Sequence, residues 1–149
     1  MRWPKKSSRR WLPDVNVLMA LAHREDGAHR LATEWHARLR DDRLCLCAVT
    51  EAGFVRLTAS PKIGAQSMAE AIGMLREITA LPQIEKLDIC GTWLELCDPL
   101  MPRLQGHRQT SDALLLALAI KNNAVLVTLD RGFESLAGEK FKANLLTLA

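Results

Sequence analysis

The sequence predicts an α/β fold in one domain, with a parallel sheet covered by helices on both faces. Two observations carry this. Short apolar runs alternate along the chain with segments of helical periodicity, the pattern that parallel strands joined by crossover helices produce. Two of those runs, LCLCAV at 44–49 and AVLV at 124–127, are continuously apolar, as strands buried on both faces are. A chain of 149 residues suits a single domain and is long enough to bury a real core.

Taken in order, Trp11–Pro13 reads as a short strand and Val15 to His23 as a helix. A second helix spans Ala28 to Arg40, with Leu31, Trp35 and Leu39 spaced by four. Leu44–Val49 is a buried strand. Thr50 then caps a helix through Leu57, which stops before Ser60-Pro61. Gln66–Leu81 is a longer helix with Met68, Ile72, Leu75 and Ile78 on one stripe. Ile84–Asp88 is a strand. Thr92–Leu104 is helical but broken near Pro99 and Pro102. Asp112–Lys121 is a strong helix ended by Asn122-Asn123, Ala124–Leu129 is the clearest strand, and Ala143–Leu148 is the last.

Composition excludes several classes. The longest apolar run, Ala113 to Ile120, is far short of the roughly 18–20 residues that span a bilayer, so no membrane association is expected. The charged N-terminus lacks the apolar stretch of a signal peptide, and a cytoplasmic protein is expected. Cys45, Cys47, Cys90 and Cys97 form no C-x-x-C pair and read as buried free thiols, with Cys45 and Cys47 on one strand face. The four histidines show no metal-site spacing. The net charge of +3 is concentrated: residues 1–10 hold five basic residues and no acidic one, which leaves 15 basic against 17 acidic in the body. Residues 1–10 therefore read as a basic, disordered arm with sequence-independent attraction for RNA phosphates, and 11–149 as the domain.

Four carboxylates share one kind of position. Asp14 follows the first strand, Glu51 follows the second, Asp112 opens the helix before the clearest strand, and Asp130 closes that strand. Ligands of open α/β sheets sit beyond the carboxyl ends of the strands. Each acid alone is explained by helix capping. Together, two carboxylates ~4 Å apart repel by ~4 kcal/mol at an effective dielectric of ~20, so a cluster calls for protons or a cation. Oxygen ligands suit Mg2+ or Mn2+ rather than zinc, and such ions in carboxylate pockets hydrolyse phosphodiesters. Asn16, Thr110 and Thr128 each lie two residues from one of these acids and can support it by hydrogen bonding.

Four segments in this order, LPDVNVLMAL, TEAGFVRL, TSDALLLALA and LVTLDRGF, resemble the PIN-domain ribonucleases, and more narrowly the toxins of VapBC-type toxin–antitoxin pairs. The resemblance covers residues 11 to about 148. It implies a three-layer α/β/α fold with a parallel sheet of about five strands. It implies that Asp14, Glu51, Asp112 and Asp130 form an acidic pocket for Mg2+ or Mn2+, with Asp14 and Asp112 as the main ligands and Asn16 and Thr128 in support. It further implies an RNA substrate, a homodimer and an antitoxin that blocks the pocket. The residues alone support only a metal-dependent carboxylate site. Another cation-dependent phosphohydrolase or DNA nuclease, and a non-catalytic module that receives a basic peptide, stand as alternatives. A receiver-type phosphoacceptor is disfavoured, because no lysine follows the last strand.

Overall fold

The computed structural model describes residues 8–149. Five strands, β1 (Arg10–Pro13), β2 (Arg43–Leu46), β3 (Ile84–Lys86), β4 (Val125–Thr128) and β5 (Leu145–Thr147), form one sheet in the order β3-β2-β1-β4-β5. Every pairing is parallel. The chain steps from β1 outward to β2 and β3, then returns to the other side of β1 for β4 and β5. That reversal opens a crevice between β1 and β4 at their carboxyl ends, where ligands of such sheets bind.

The connections are α1 (Val15–Ala22), α2 (His29–Ala37), α3 (Ala48–Ala59), α4 (Met68–Thr79), α5 (Trp93–Cys97), α6 (Thr110–Lys121) and α7 (Gly132–Ala137). Side chains alternate across the sheet, which sorts the core into two layers. Leu12, Cys45 and Leu126 face one side and pack with Leu100, Leu116, Phe133 and Leu136, from α6, α7 and the turn after α5. Trp11, Leu44 and Val127 face the other, against Val17 and Trp35 of α1 and α2. Leu46 on that side meets Leu18, Met19 and Phe54, which ties in α3. Burying side chains of this size contributes ~1.5–3 kcal/mol each. Among the described residues no helix is long and apolar enough to cross a membrane.

Several boundaries differ from the sequence reading for physical reasons. Strand β1 begins at Arg10, whose neighbour Arg9 donates its backbone N–H to Asp42 Oδ1 at 2.9 Å and accepts from the Arg43 N–H. Arg9 and Arg10 thus belong to the fold, and the rest of the expected arm, residues 1–7, lies outside the described residues. Strand β2 ends at Leu46, because Cys47 rather than Thr50 caps α3. Thr50 is the third helical residue, and its hydroxyl accepts from the Cys47 N–H at 3.1 Å. Helix α6 starts at Thr110, so Asp112 sits within its first turn instead of opening it. Ser67 caps α4, and of its expected apolar stripe Met68 and Ile72 are exposed. Strands β3, β4 and β5 are each shorter at their ends than the apolar runs suggested. Helix α7 was not foreseen: at six residues, between Gly132 and Gly138, its periodicity is too brief to register. Cys45 and Cys47 do share one buried face, but Cys90 is exposed. Asn122-Asn123 does end α6, with Asn123 at φ 51°, a conformation asparagine tolerates.

Candidate active site

The crevice is built from the ends of β1 and β4 and the start of α6. Asp14 is the first residue past β1, and its N–H still donates to the Val127 carbonyl of β4 at 2.7 Å. Its extended backbone lets the side chain fold over the start of α1, where Oδ1 accepts from the Val15 N–H at 2.7 Å. The capping reading of Asp14 is therefore correct as far as it goes. It accounts for one oxygen. Oδ2 accepts instead from the hydroxyl of Thr128, the last residue of β4, at 3.0 Å.

Thr128 is fully buried and acts as a hub. Besides donating to Asp14, its oxygen accepts from the Asp130 N–H at 3.0 Å and from Asn16 Nδ2 at 3.4 Å. Asn16 Oδ1 in turn accepts from the Leu129 N–H at 3.3 Å. One hydroxyl offers one donor and two acceptor sites, and all three are engaged. The end of β4 is thereby locked to the start of α1. Asp130 Oδ1 accepts from the Gly132 N–H at 2.8 Å, a turn of the kind aspartate forms two residues before a glycine.

Electrostatics bind a third acid to these two. Burial raises the Asp112 carboxyl to about 6, with further contributions from the Asp14 and Asp130 charges. Burial also raises Asp14, opposed by the Thr128 and Val15 hydrogen bonds and reinforced by Asp130. The structure thus couples Asp14, Asp112 and Asp130. Glu51 stands in the first turn of α3, on the wall of a groove shared with Ala52, Val55 and Met68. Neither Asp112 nor Glu51 accepts a side-chain hydrogen bond among the described residues, so neither is tied down. Thr110 does not reach the acids: its hydroxyl donates to the His107 carbonyl at 2.9 Å.

Two positioning residues escaped the sequence reading. A Cβ on Gly53 of α3 would lie 2.6 Å from Val15 Cγ2, so glycine there lets α3 close on the residue that holds Asp14. A Cβ on Gly132 would approach Asp130 Oδ1 to 3.1 Å. The D-x-G spacing at 130–132 was a readable signal for the second. Nothing local marked the first, since its partner lies 38 residues away.

The donor set fits a hard divalent cation. All the donors are oxygens, the acids repel one another, and the bonded oxygens of Asp14 and Asp130 each retain a lone pair. Among the described residues no three acidic, histidine or cysteine side chains are arranged to close around an ion as they stand.

The family model of the PIN domain matches residues 12–139. The chain belongs to the PIN-domain family. This PIN domain is 35% identical over 142 residues to Ribonuclease VapC38 of Mycobacterium tuberculosis, covering 92% of this chain and 98% of that one. It is 34% identical over 123 residues to Ribonuclease VapC44 of the same organism, covering 82% and 87%. Such identities over nearly whole chains put it in the VapC group. Its fold matches FitAcB from Neisseria gonorrhoeae at a TM-score of 0.64 and 16% identity, covering 93% of this chain and 96% of that one. VapBC2 from Rickettsia felis, solved bound to a DNA fragment from its promoter, matches at 0.63 and 14% identity, covering 94% and 99%.

Proposed function

We propose that this protein is a metal-dependent endoribonuclease, the toxin of a type II toxin–antitoxin pair. The observation that carries the reading is the meeting of Asp14 and Asp130 at the buried Thr128, with Asp112 in the first turn of α6 near enough for their charges to help raise its carboxyl. Asp14 and Asp112 are partly buried beside the exposed Asp130, and their mutual repulsion costs stability that a cation relieves. Asp14, Asp112 and Asp130 would hold Mg2+ or Mn2+, with Glu51 joining from α3. When bound, the ion supplies water activation and neutralises charge on the phosphorus-centred transition state. The chain's own contribution is placement: Thr128 and the Val15 N–H fix the Asp14 carboxylate and favour its charged form, while Asn16 sets the end of β4.

The nature of the relatives supports RNA as the substrate, since VapC38 and VapC44 are both named ribonucleases. The names of the structural neighbours support a cognate antitoxin. The exposed Met68 and Ile72 beside the groove between α3 and α4 offer an apolar seat for it, next to Glu51. A homodimer in the cytoplasm completes the reading. Side-by-side digestion of RNA and DNA with Mg2+, Mn2+ or EDTA tests it. Cleavage of RNA that EDTA abolishes is expected. DNA cleavage alone would make this a deoxyribonuclease, and partner binding without cleavage would make it a binding module.

A further inference from the structure

Charge is divided between the two ends of the sheet. All five strands run parallel, so their carboxyl ends share the edge where Asp14, Asp112 and Asp130 sit, and their amino ends share the opposite edge. There Arg10 and Arg43 are partners in register at the starts of β1 and β2. Among the described residues, 8–10 and 38–43 hold five basic and two acidic side chains, a sum of +3; the whole chain carries +3 and residues 1–7 alone another +3, so the remainder sums to −3.

A cleft of about 610 Å³ opens beside this amino edge, with Arg9, Arg38 and Arg40 on its walls and Trp11 and Trp35 beneath. The side chains of Arg38 and Arg40 are exposed and form no ion pair or hydrogen bond among the described residues. Asp42 in the cleft is already engaged by the Arg9 N–H and the Trp11 indole N–H, both at 2.9 Å. Asp41 is the other acid present. Arg38 caps the carboxyl end of α2, where a cation complements the helix dipole. The guanidinium of Arg9 lies over the Trp11 ring at 6.0 Å, and those of Arg38 and Arg40 meet no acid among the described residues.

We propose that this cleft binds the phosphate backbone of single-stranded RNA, gripping a flank of the substrate while another stretch enters the acidic crevice. The naming of RNA rests on the nuclease reading. A crevice of carboxyls in a body of net −3 repels a polyanion, so the attraction that holds it must come from elsewhere on the molecule. Guanidinium forks match phosphate oxygens in pairs. Trp11 and Trp35 are each only 8% exposed, too little to stack on bases, so the grip reads backbone and not sequence. Strand β1 spans roughly 13 Å between the two edges, a distance that a few nucleotides bridge.

Binding of a short unstructured RNA, followed by fluorescence anisotropy in EDTA across a salt series, tests this. An Arg38→Gln/Arg40→Gln variant is compared with Arg24→Gln/Arg76→Gln, which removes the same charge from exposed sites elsewhere. Losing two phosphate contacts should flatten the slope of log K against log salt by about 1.4 in the first variant, while the second keeps the wild-type slope. Equal slopes in all three proteins, or equal losses in both variants, overturn the proposal. Cleavage of the same RNA by the wild type with Mn2+ is scored separately. Binding that follows Arg38 and Arg40 without any cleavage upholds the cleft and removes the nuclease reading. Cleavage with unchanged slopes does the reverse.

Discussion

Replacing Asp112 by asparagine separates helix capping from site chemistry. The residue lies in the first turn of α6, and its carboxyl is raised from 3.8 to about 6 by burial and by Asp14 and Asp130. At full strength that rise corresponds to ~3 kcal/mol. The side chain is partly exposed, so screening reduces it to on the order of 1 kcal/mol. The sign follows from proton linkage. The folded state holds the proton more tightly than the unfolded one, so the penalty is absent below pH 3.8, grows as pH rises, and is complete above about 6. Asparagine removes the penalty and forfeits roughly 0.3 kcal/mol of interaction with the helix start. In EDTA at pH 7.5, Asp112→Asn should therefore melt higher than the parent, by about 2 °C for a domain of this size. At pH 4 the advantage should vanish. Added Mn2+ should stabilise the parent more than the variant, because that increment follows the affinity of the folded state for the ion. RNA cleavage should fall by orders of magnitude. A variant that melts at or below the parent at pH 7.5, with the same response to Mn2+ and undiminished cleavage, would remove Asp112 from the site.

Thr128→Val keeps shape and removes the hub hydroxyl, so denaturant unfolding should show a loss of ~1–3 kcal/mol from the unpaired Asp130 N–H, and cleavage should drop. Gly53→Ala should cost ~1–3 kcal/mol by overpacking against Val15, and adding Val15→Ala in the same chain should restore most of it; a double variant no better than the single would place the strain elsewhere. Deleting residues 1–7, which leaves Arg9 and β1 whole, should weaken the salt dependence of RNA binding without moving the cleavage sites. An altered cleavage pattern on a sequencing gel would make the arm a specificity element.

The sheet was legible because burial on both faces writes itself as unbroken apolar runs, as in LCLCAV and AVLV. Asp14 and Asp130 were legible for the same reason: each is the first charge after such a run, and topology then sets the two runs side by side. What stayed hidden depends on partners distant in sequence. Thr128 was singled out as a supporting residue, but its engagement of three groups at once needs β1, α1 and β4 assembled. The capping of α3 by Cys47 ran against propensity, which favours Thr50, because the helix begins as soon as β2 leaves the sheet. The split of charge between the two sheet edges could not be seen from a net charge of +3, since Arg38 and Arg40 come beside Arg9 only in the fold.

Calorimetric titration of the metal-free protein with Mn2+, alongside Asp14→Asn, shows whether the crevice between β1 and β4 holds the ion. Asp14 is the acid that both β1 and β4 hold in place, and asparagine keeps its capping bond while removing its charge. Saturable binding is expected in the wild type and its loss in the variant, with a matching loss of RNA cleavage. Binding of equal affinity in both proteins would contradict this and put the ion outside the crevice between β1 and β4.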